Sequence, residues 1–154
     1  MEEIKTFFKV DIEHLHALGV VDPSSNKSLE IFESGQLNSN ERLYFCLWGS
    51  KDLNSVAFES KKKIFQKGDK VTSAYFIVSG SLLSVEGDLI ERLGPGSVIG
   101  LAEGIKGIVY PKTVITSTAV QARVLPLSKI SHIIPKLPTV IQKILFNIVD
   151  RSLA

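Results

Sequence analysis

The first third of the chain carries apolar residues at spacings of three and four, the pattern of an amphipathic helix. This stripe predicts one helix, or two short ones, ending before Gly19; its members are Ile4, Phe7, Phe8, Ile12, Leu15 and Leu18. Ser25 is a suitable N-cap for a second helix, and Asn40 for a third that ends at Gly49. Residues 1–54 are therefore predicted to form an N-terminal helical segment.

Residues 31–50 admit a second interpretation. Their sequence, IFESGQLNSNERLYFCLWGS, imitates IFQKGDKVTSAYFIVSGS at 64–81, with two extra residues in the middle. As an internal repeat, residues 31–50 would form a degenerate strand pair. The helical interpretation is preferred, because a lone strand pair with no following turns is only marginally stable.

From residue 55 the pattern changes to short apolar runs separated by glycine-containing turns at close spacing. Such runs are typical of an antiparallel β-roll or barrel. The sequence predicts a hairpin about Glu86-Gly87-Asp88, a rigid corner at 94–96 and a short helix within 101–110. Residues 55–127 are therefore predicted to form the roll.

Two further helices are predicted in residues 128–154. Ser128 is the expected N-cap of the first, Pro135 ends it, and Pro138 suits the start of the second. The prediction is an α+β fold: a jelly-roll-like antiparallel β-roll or a barrel, with N-terminal helices and two C-terminal helices packed on it, in one structural domain. The last helix has a broad apolar stripe that suits packing on the roll or an interface with a second copy or another protein; its candidate interface residues are Ile141, Ile144, Leu145 and Ile148.

Length and composition fit a single globular domain. The chain has 154 residues, of which 44% are hydrophobic and 22% charged, a balance that excludes a disordered protein. The net charge of +2 gives no argument for nucleic acid binding. The last predicted helix ends with Ala154, so no DNA-recognition helix is expected if this sequence is the whole protein, and a C-terminal effector domain is the alternative if it is not. Cys46 is the only cysteine, so no intrachain disulfide can form. No apolar run approaches the ~20 residues of a membrane span, and the mixed, acidic N-terminus lacks a signal-peptide pattern, so a cytoplasmic location is expected.

The turns and strands from residue 56 onward follow a known order. The motifs are IF-x-x-GD at 64–69, YFI-x-x-G at 75–80 and LGPG at 93–96, followed by the two C-terminal helices. In this order and at these spacings, the chain resembles the cyclic-nucleotide-binding domain family, with a β-roll like that of the catabolite activator protein. The resemblance implies a regulatory, sensing module without catalytic activity, and cAMP or cGMP as its ligand.

The resemblance also identifies a candidate phosphate-binding cassette. In the family, a strand ending in Gly leads into a short helix with Glu in its first turn, and a later loop supplies Arg followed by a small or hydroxyl residue. The matching residues here are Gly100, Leu101, Ala102, Glu103, Lys112 and Thr113. By the resemblance, Lys112 would neutralise a phosphate, Thr113 would donate a hydrogen bond, and backbone N–H groups near 101–103 would complete the anion site.

The cassette departs from the family pattern at both charged positions. Leu101 replaces Glu, and Glu103 is offset from it by about 200° of helix rotation, so its carboxylate is expected to point elsewhere. Lys112 keeps the charge of Arg but lacks the planar fork that donates two parallel hydrogen bonds. Three interpretations stay open: weakened binding of a cyclic nucleotide, binding of another small anion or an apolar ligand, and a vestigial pocket in a protein-interaction or scaffold module.

A metal-dependent enzyme of the cupin type is a further alternative, because cupins also use a β-roll. The histidines are His14, His16 and His132; none lies in the predicted sheet, and His14 and His16 diverge on a helix. Cys46 lies in an apolar run and is interpreted as a structural thiol rather than a nucleophile. Neither G-x-x-x-x-G-K-[ST] nor G-x-S-x-G occurs. The sequence therefore predicts neither a metal site nor catalysis.

Overall fold

The computed structural model describes residues 8–50 and 53–153. Its N-terminal part contains three helices, α1 (Ile12–Leu18), α2 (Asn26–Glu33) and α3 (Ser39–Trp48). Residues 31–50 thus lie in α2, α3 and their connection, which confirms the helical interpretation over the internal repeat. Ile4 and Phe7 of the predicted first stripe lie outside the described residues.

The starts of α2 and α3 follow local capping chemistry. Ser25 caps α2, as predicted, by accepting a hydrogen bond from the backbone N–H of Ser28. The predicted cap at Asn40 is wrong, because Asn38 caps α3. Asn38 accepts from the backbone N–H of Glu41, and the Glu41 carboxylate accepts from the backbone N–H of Asn38. This capping box satisfies two otherwise unpaired backbone donors at once.

Eight described strands form two antiparallel sheets. Their bounds are β1 (Ser55–Phe58), β2 (Lys63–Phe65), β3 (Ser73–Ser79), β4 (Leu82–Glu86), β5 (Leu89–Leu93), β6 (Val98–Ile99), β7 (Thr113–Thr116) and β8 (Val120–Pro126). One sheet has the order β1-β8-β3-β6 and the other β2-β7-β4-β5. The predicted hairpin is present as β4–β5, with its turn at Gly87-Asp88. The predicted α+β fold with an antiparallel β-roll is confirmed.

Helices follow both β6 and β8. The short helix α4 (Leu101–Lys106) follows β6, while α5 (Leu127–Ile133), a 3-10 turn (Ile134–Lys136) and α6 (Thr139–Ser152) follow β8. The predicted cap at Ser128 is wrong, since Pro126 is the N-cap of α5. No capping side chain is needed for the first N–H, because Leu127 donates it to the carbonyl of Thr72 at 3.0 Å.

Two groups of buried apolar side chains hold the fold together. One lies inside the roll and includes Ile77 and Leu82. The other joins the helices to the sheet: Tyr44 and Trp48 of α3 pack on Phe76 of β3, with the Tyr44 and Phe76 ring centroids 4.0 Å apart. Complete burial of a side chain such as Phe76 contributes about 1.5–3 kcal/mol. The helices are therefore part of the same packed unit as the roll.

The apolar stripe of α6 belongs to this second core. Ile141 and Leu145 are fully buried, Ile148 is buried and Ile144 is half-buried. A side chain enclosed by its own domain has no surface left for a partner, so the burial of three of the four corrects the predicted interface. The apolar side chains that α6 exposes are Val140, at 62%, and Phe146, at 41%.

The predicted corner at 94–96 joins the N-terminal segment to the roll. The N–H of Val10 donates to the carbonyl of Gly96 at 2.8 Å, and the N–H of Gly96 donates to the carbonyl of Ile77 at 2.7 Å. Gly96 has a φ of +89°, and a Cβ placed on it would lie 1.9 Å from the carbonyl oxygen of Val10. Glycine therefore allows the two segments to approach this closely.

Candidate functional site

A cavity of about 1260 Å³ lies between the roll and the end of α6. Its walls come from the β4–β5 hairpin, from β6 and the first turn of α4, from the loop at 108–112 and from the last two turns of α6. Phe8 and Lys9 also line it. Binding pockets for small molecules typically measure about 300–1,000 Å³, so the volume is sufficient for a ligand of that class.

Gly100 directs the chain from β6 into α4 at the edge of this cavity. It has a φ of +85° and serves as the N-cap of α4. A Cβ on Gly100 would lie 2.9 Å from the Phe65 ring and 3.0 Å from the carbonyl oxygen of Ser73. The close approach that glycine permits here is thus to the roll itself, and it sets where α4 begins.

The first turn of α4 presents both apolar and acidic residues to the cavity wall. Leu101 and Ala102 are buried and pack in the core shared with α6. Glu103 also lines the cavity, while the direction of its carboxylate relative to that of Leu101 stays a prediction. Three consecutive residues of this six-residue helix, Leu101, Ala102 and Glu103, therefore contribute to the cavity wall.

Glu103, Tyr110 and Lys112 form an electrostatically coupled group in this wall. Burial raises the pKa of the Glu103 carboxyl above its ordinary value, while its own backbone N–H and the charge of Lys112 act in the opposite direction. Burial also raises the pKa of the Tyr110 hydroxyl, and the charges of Glu103 and Glu91 raise it further. The Tyr110 ring is held by stacking on Phe65, with centroids 4.2 Å apart. The cassette thus brings one cation and one carboxylate to the same cavity.

Thr113 does not lie in this wall. It pairs with Val85 in the β4–β7 ladder, one position before the fully buried Val114, and successive side chains of a strand point to opposite faces. Its hydroxyl oxygen accepts a hydrogen bond from the backbone N–H of Lys67 at 3.2 Å. Five of the six predicted cassette residues, all but Thr113, therefore line the cavity.

The β4–β5 hairpin adds polar residues that the sequence analysis missed. Ser84 and Glu91 are paired across the hairpin, both line the cavity, and Ser84 is buried. They lie two residues from Leu82 and Leu93, an apolar pair on the same face. Side chains alternate between the two faces of a strand, so the face of Leu82 would have indicated that the side chains of Ser84 and Glu91 point to the same face.

The described part of the chain contains neither a candidate metal-binding group nor a helix able to span a membrane. Residues 8–50 and 53–153 contain no group of three His, Cys, Asp or Glu side chains suited to a metal ion. His14 hydrogen-bonds through Nδ1 to the Glu41 carboxylate at 2.6 Å, which joins α1 to α3. His16 and His132 are exposed. Among these same residues, the helices are too short or too polar to span a bilayer.

Comparisons with known proteins agree with this architecture. A family model described as "Cyclic nucleotide-binding domain" matches residues 55–136, slightly more than half of the chain. No curated protein matches the sequence. A solved structure described as a cyclic nucleotide-binding protein of Geobacter metallireducens GS-15 is 14% identical, with 84% of this chain and 95% of that chain covered and a TM-score of 0.58.

Two further structures are informative. The regulatory subunit of a cAMP-independent protein kinase A from Trypanosoma brucei is 19% identical, with 92% of this chain and 45% of that chain covered and a TM-score of 0.56. The cAMP-bound form of the EAL enzyme Bd1971 is 21% identical, with 64% of this chain covered and a TM-score of 0.55. The present chain spans only 28% of that enzyme, whether cAMP or cGMP is bound. At these identities the structural matches show a shared fold.

Proposed function

Since this chain belongs to the cyclic nucleotide-binding domain family, we propose that it is a non-catalytic regulatory module whose cavity binds a cyclic nucleotide, cAMP or cGMP, through Lys112. The observation that carries this proposal is the position of Lys112 in the cavity wall, beside the first turn of α4. A cyclic phosphate is an anion, and its removal from water has to be compensated by a positive group. Bd1971, which has this fold, binds both nucleotides.

The proposed site binds less tightly than one with the full family pattern. Leu101 is apolar where the pattern has a carboxylate, so that contact to a ribose hydroxyl is absent. Lys112 donates as a point charge and cannot form the bidentate pair of an arginine. Each hydrogen bond to a charged group contributes about 1.5–3 kcal/mol, so the two changes together weaken binding by several kcal/mol. We expect dissociation constants in the micromolar range or above.

The test is calorimetric titration of the purified chain with cAMP and cGMP up to millimolar concentration. Lys112→Ala should abolish binding without lowering the melting temperature. Lys63→Ala is the matched control, because Lys63 is an exposed lysine of β2 outside the cavity. Lys112→Arg should tighten binding, since arginine restores the fork. Binding that survives Lys112→Ala would contradict the assignment of the phosphate site.

A second function is a protein-interaction or scaffold module with a vestigial cavity. It is favoured by Leu101 and by the two exposed apolar side chains of α6, Val140 and Phe146. The fold also serves in a kinase regulatory subunit described as cAMP-independent. Under this alternative, neither cAMP nor cGMP gives a binding signal in the titrations. Phe146→Asp should then disrupt a homodimer or another complex, which size-exclusion chromatography detects. In either case the proposal includes a cytoplasmic location, in keeping with the lone Cys46.

A further inference from the structure

The cavity contains its own carboxylate, Glu103, in the same wall as Lys112. We infer that the Glu103 carboxylate competes with an anionic ligand for Lys112. Without ligand, this carboxylate compensates the charge of Lys112. An anionic ligand binds either against the repulsion of ionised Glu103 or together with a proton that neutralises Glu103. This inference rests on the proposed function, because it concerns the regulation of the same cavity. It makes Glu103 a determinant of affinity that opposes binding.

The backbone of Glu103 is held in place by the packing of α4. Leu101 and Ala102 are buried in the core shared with α6. On another side, Gly104 approaches α5 so closely that an added Cβ would lie 2.5 Å from the side chain of Leu127. The helix therefore cannot rotate to carry Glu103 out of the cavity without disturbing both helices. Glu103 therefore stays in the cavity wall when a ligand enters.

Lys112 is the cation that acts on Glu103. Lys106, the lysine of α4, is paired with Asp150 of α6 at 3.4 Å. The other titratable groups that line the cavity are Lys9, Glu86 of β4, Glu91 and Arg92 of β5, and Tyr110, whose raised pKa keeps its hydroxyl neutral. α5 contacts α4 through the apolar Leu127. Ionised Glu103 is thus stabilised by its own backbone N–H and, among the charged groups, by Lys112.

A bound phosphate reverses this balance. The phosphate takes the charge of Lys112 and adds a second negative charge beside Glu103, so ionised Glu103 loses its partner and gains a repulsion. Burial raises the pKa of this carboxyl, and the added phosphate charge raises it further, so ligand binding shifts the titration of Glu103 to higher pH. Binding and proton uptake are therefore linked, and affinity rises as the pH falls through the titration of Glu103.

The first experiment compares the native chain with Glu103→Gln, which keeps the shape of the side chain and removes its charge. Two unit charges about 10 Å apart at an effective dielectric constant of about 20 change an affinity roughly tenfold, so Glu103→Gln should bind cAMP or cGMP about tenfold more tightly. Glu30→Gln on α2 is the matched control, because it makes the same change in net charge at an exposed position outside the cavity. Equal melting temperatures show that each variant is folded.

The second experiment uses the unaltered chain. Titration in two buffers of different ionisation enthalpy should reveal proton uptake on binding, and this uptake should vanish in Glu103→Gln. The pKa of Glu103, followed by carboxyl NMR in the ligand-free protein, should rise in Lys112→Met because the compensating charge is gone.

The outcomes separate the two proposals. Binding that is tighter in Glu103→Gln, or that occurs only in this variant, supports both. Equal affinities of the native chain and Glu103→Gln, or a Glu103 pKa unchanged in Lys112→Met, overturn the competition and leave the proposed function standing. If neither the native chain nor Glu103→Gln binds nucleotide at millimolar concentration, the proposed function is overturned, and the competition with it.

Discussion

Replacement of Gly96 by alanine tests how the N-terminal segment is attached to the roll. The added Cβ would lie 1.9 Å from the carbonyl oxygen of Val10, and the φ of +89° is one that L-residues rarely adopt. Backbone strain of this kind costs about 1–3 kcal/mol. The variant must also displace Val10 and so lose the Val10–Gly96 hydrogen bond of 2.8 Å, which contributes about 1 kcal/mol. We expect Gly96→Ala to lower the free energy of unfolding by about 2–4 kcal/mol.

Gly94→Ala is the matched control, since both glycines flank Pro95. A Cβ on Gly94 would meet no atom within 4 Å, and its φ is not in the left-handed region. This variant should be neutral or more stable by less than about 1 kcal/mol, because alanine restricts the unfolded chain. Urea titration gives both free energies, and thermal melting should show Gly96→Ala about 5–15 °C below the native chain.

The refuting result is equal unfolding free energies for Gly96→Ala and Gly94→Ala. Hydrogen exchange adds a local measurement, because the amide of Val10 should lose protection in Gly96→Ala but not in Gly94→Ala. Unchanged protection at Val10 would show that the contact to Gly96 does not hold the N-terminal segment.

Two further predictions concern the helices. Tyr44→Phe removes the hydroxyl that donates to the carbonyl of Val21 at 3.0 Å and should cost about 1 kcal/mol in urea titration; no change would mean that this buried bond contributes nothing. The Glu41 carboxylate raises the pKa of His14 above its ordinary value of 6.5. The His14–Glu41 pair therefore stabilises the folded chain fully below pH 6.5, and this stabilisation is lost as the pH rises through the raised pKa. The melting-temperature difference between the native chain and His14→Gln should therefore shrink from pH 6 to pH 9, and a constant difference would contradict it.

The change in hydrophobic period near residue 55 predicted helices followed by an antiparallel β-roll or barrel, and the resemblance of the turns to the family identified the roll. Helical spacing before residue 55 and short runs between glycines after it reflect how each element buries its apolar side, and this requirement is local. The capping error at Asn40 was avoidable, because Asn38 stands three residues before Glu41, the spacing of a capping box. The error at Ser128 was not, since the first N–H of α5 is satisfied by Thr72, which is distant in sequence.

The site was less predictable because its geometry depends on contacts between distant segments. Thr113 follows Lys112 directly, yet the strand register turns its side chain away from the cavity. The direction of Glu103 was predicted by rotation around a helix axis, whereas the share of α4 in the cavity wall depends on its packing against α6. Glu91 carried no motif at all and enters the cavity because it pairs with Ser84.

Phe8 and Leu153 line the same cavity although nearly the whole chain separates them. During synthesis the N-terminal helices and the roll leave the ribosome first, and the last turns of α6 follow only after them. A nascent chain that ends before α6 therefore has its cassette but lacks one wall of the cavity. The cavity is therefore complete only after α6 has packed against the roll.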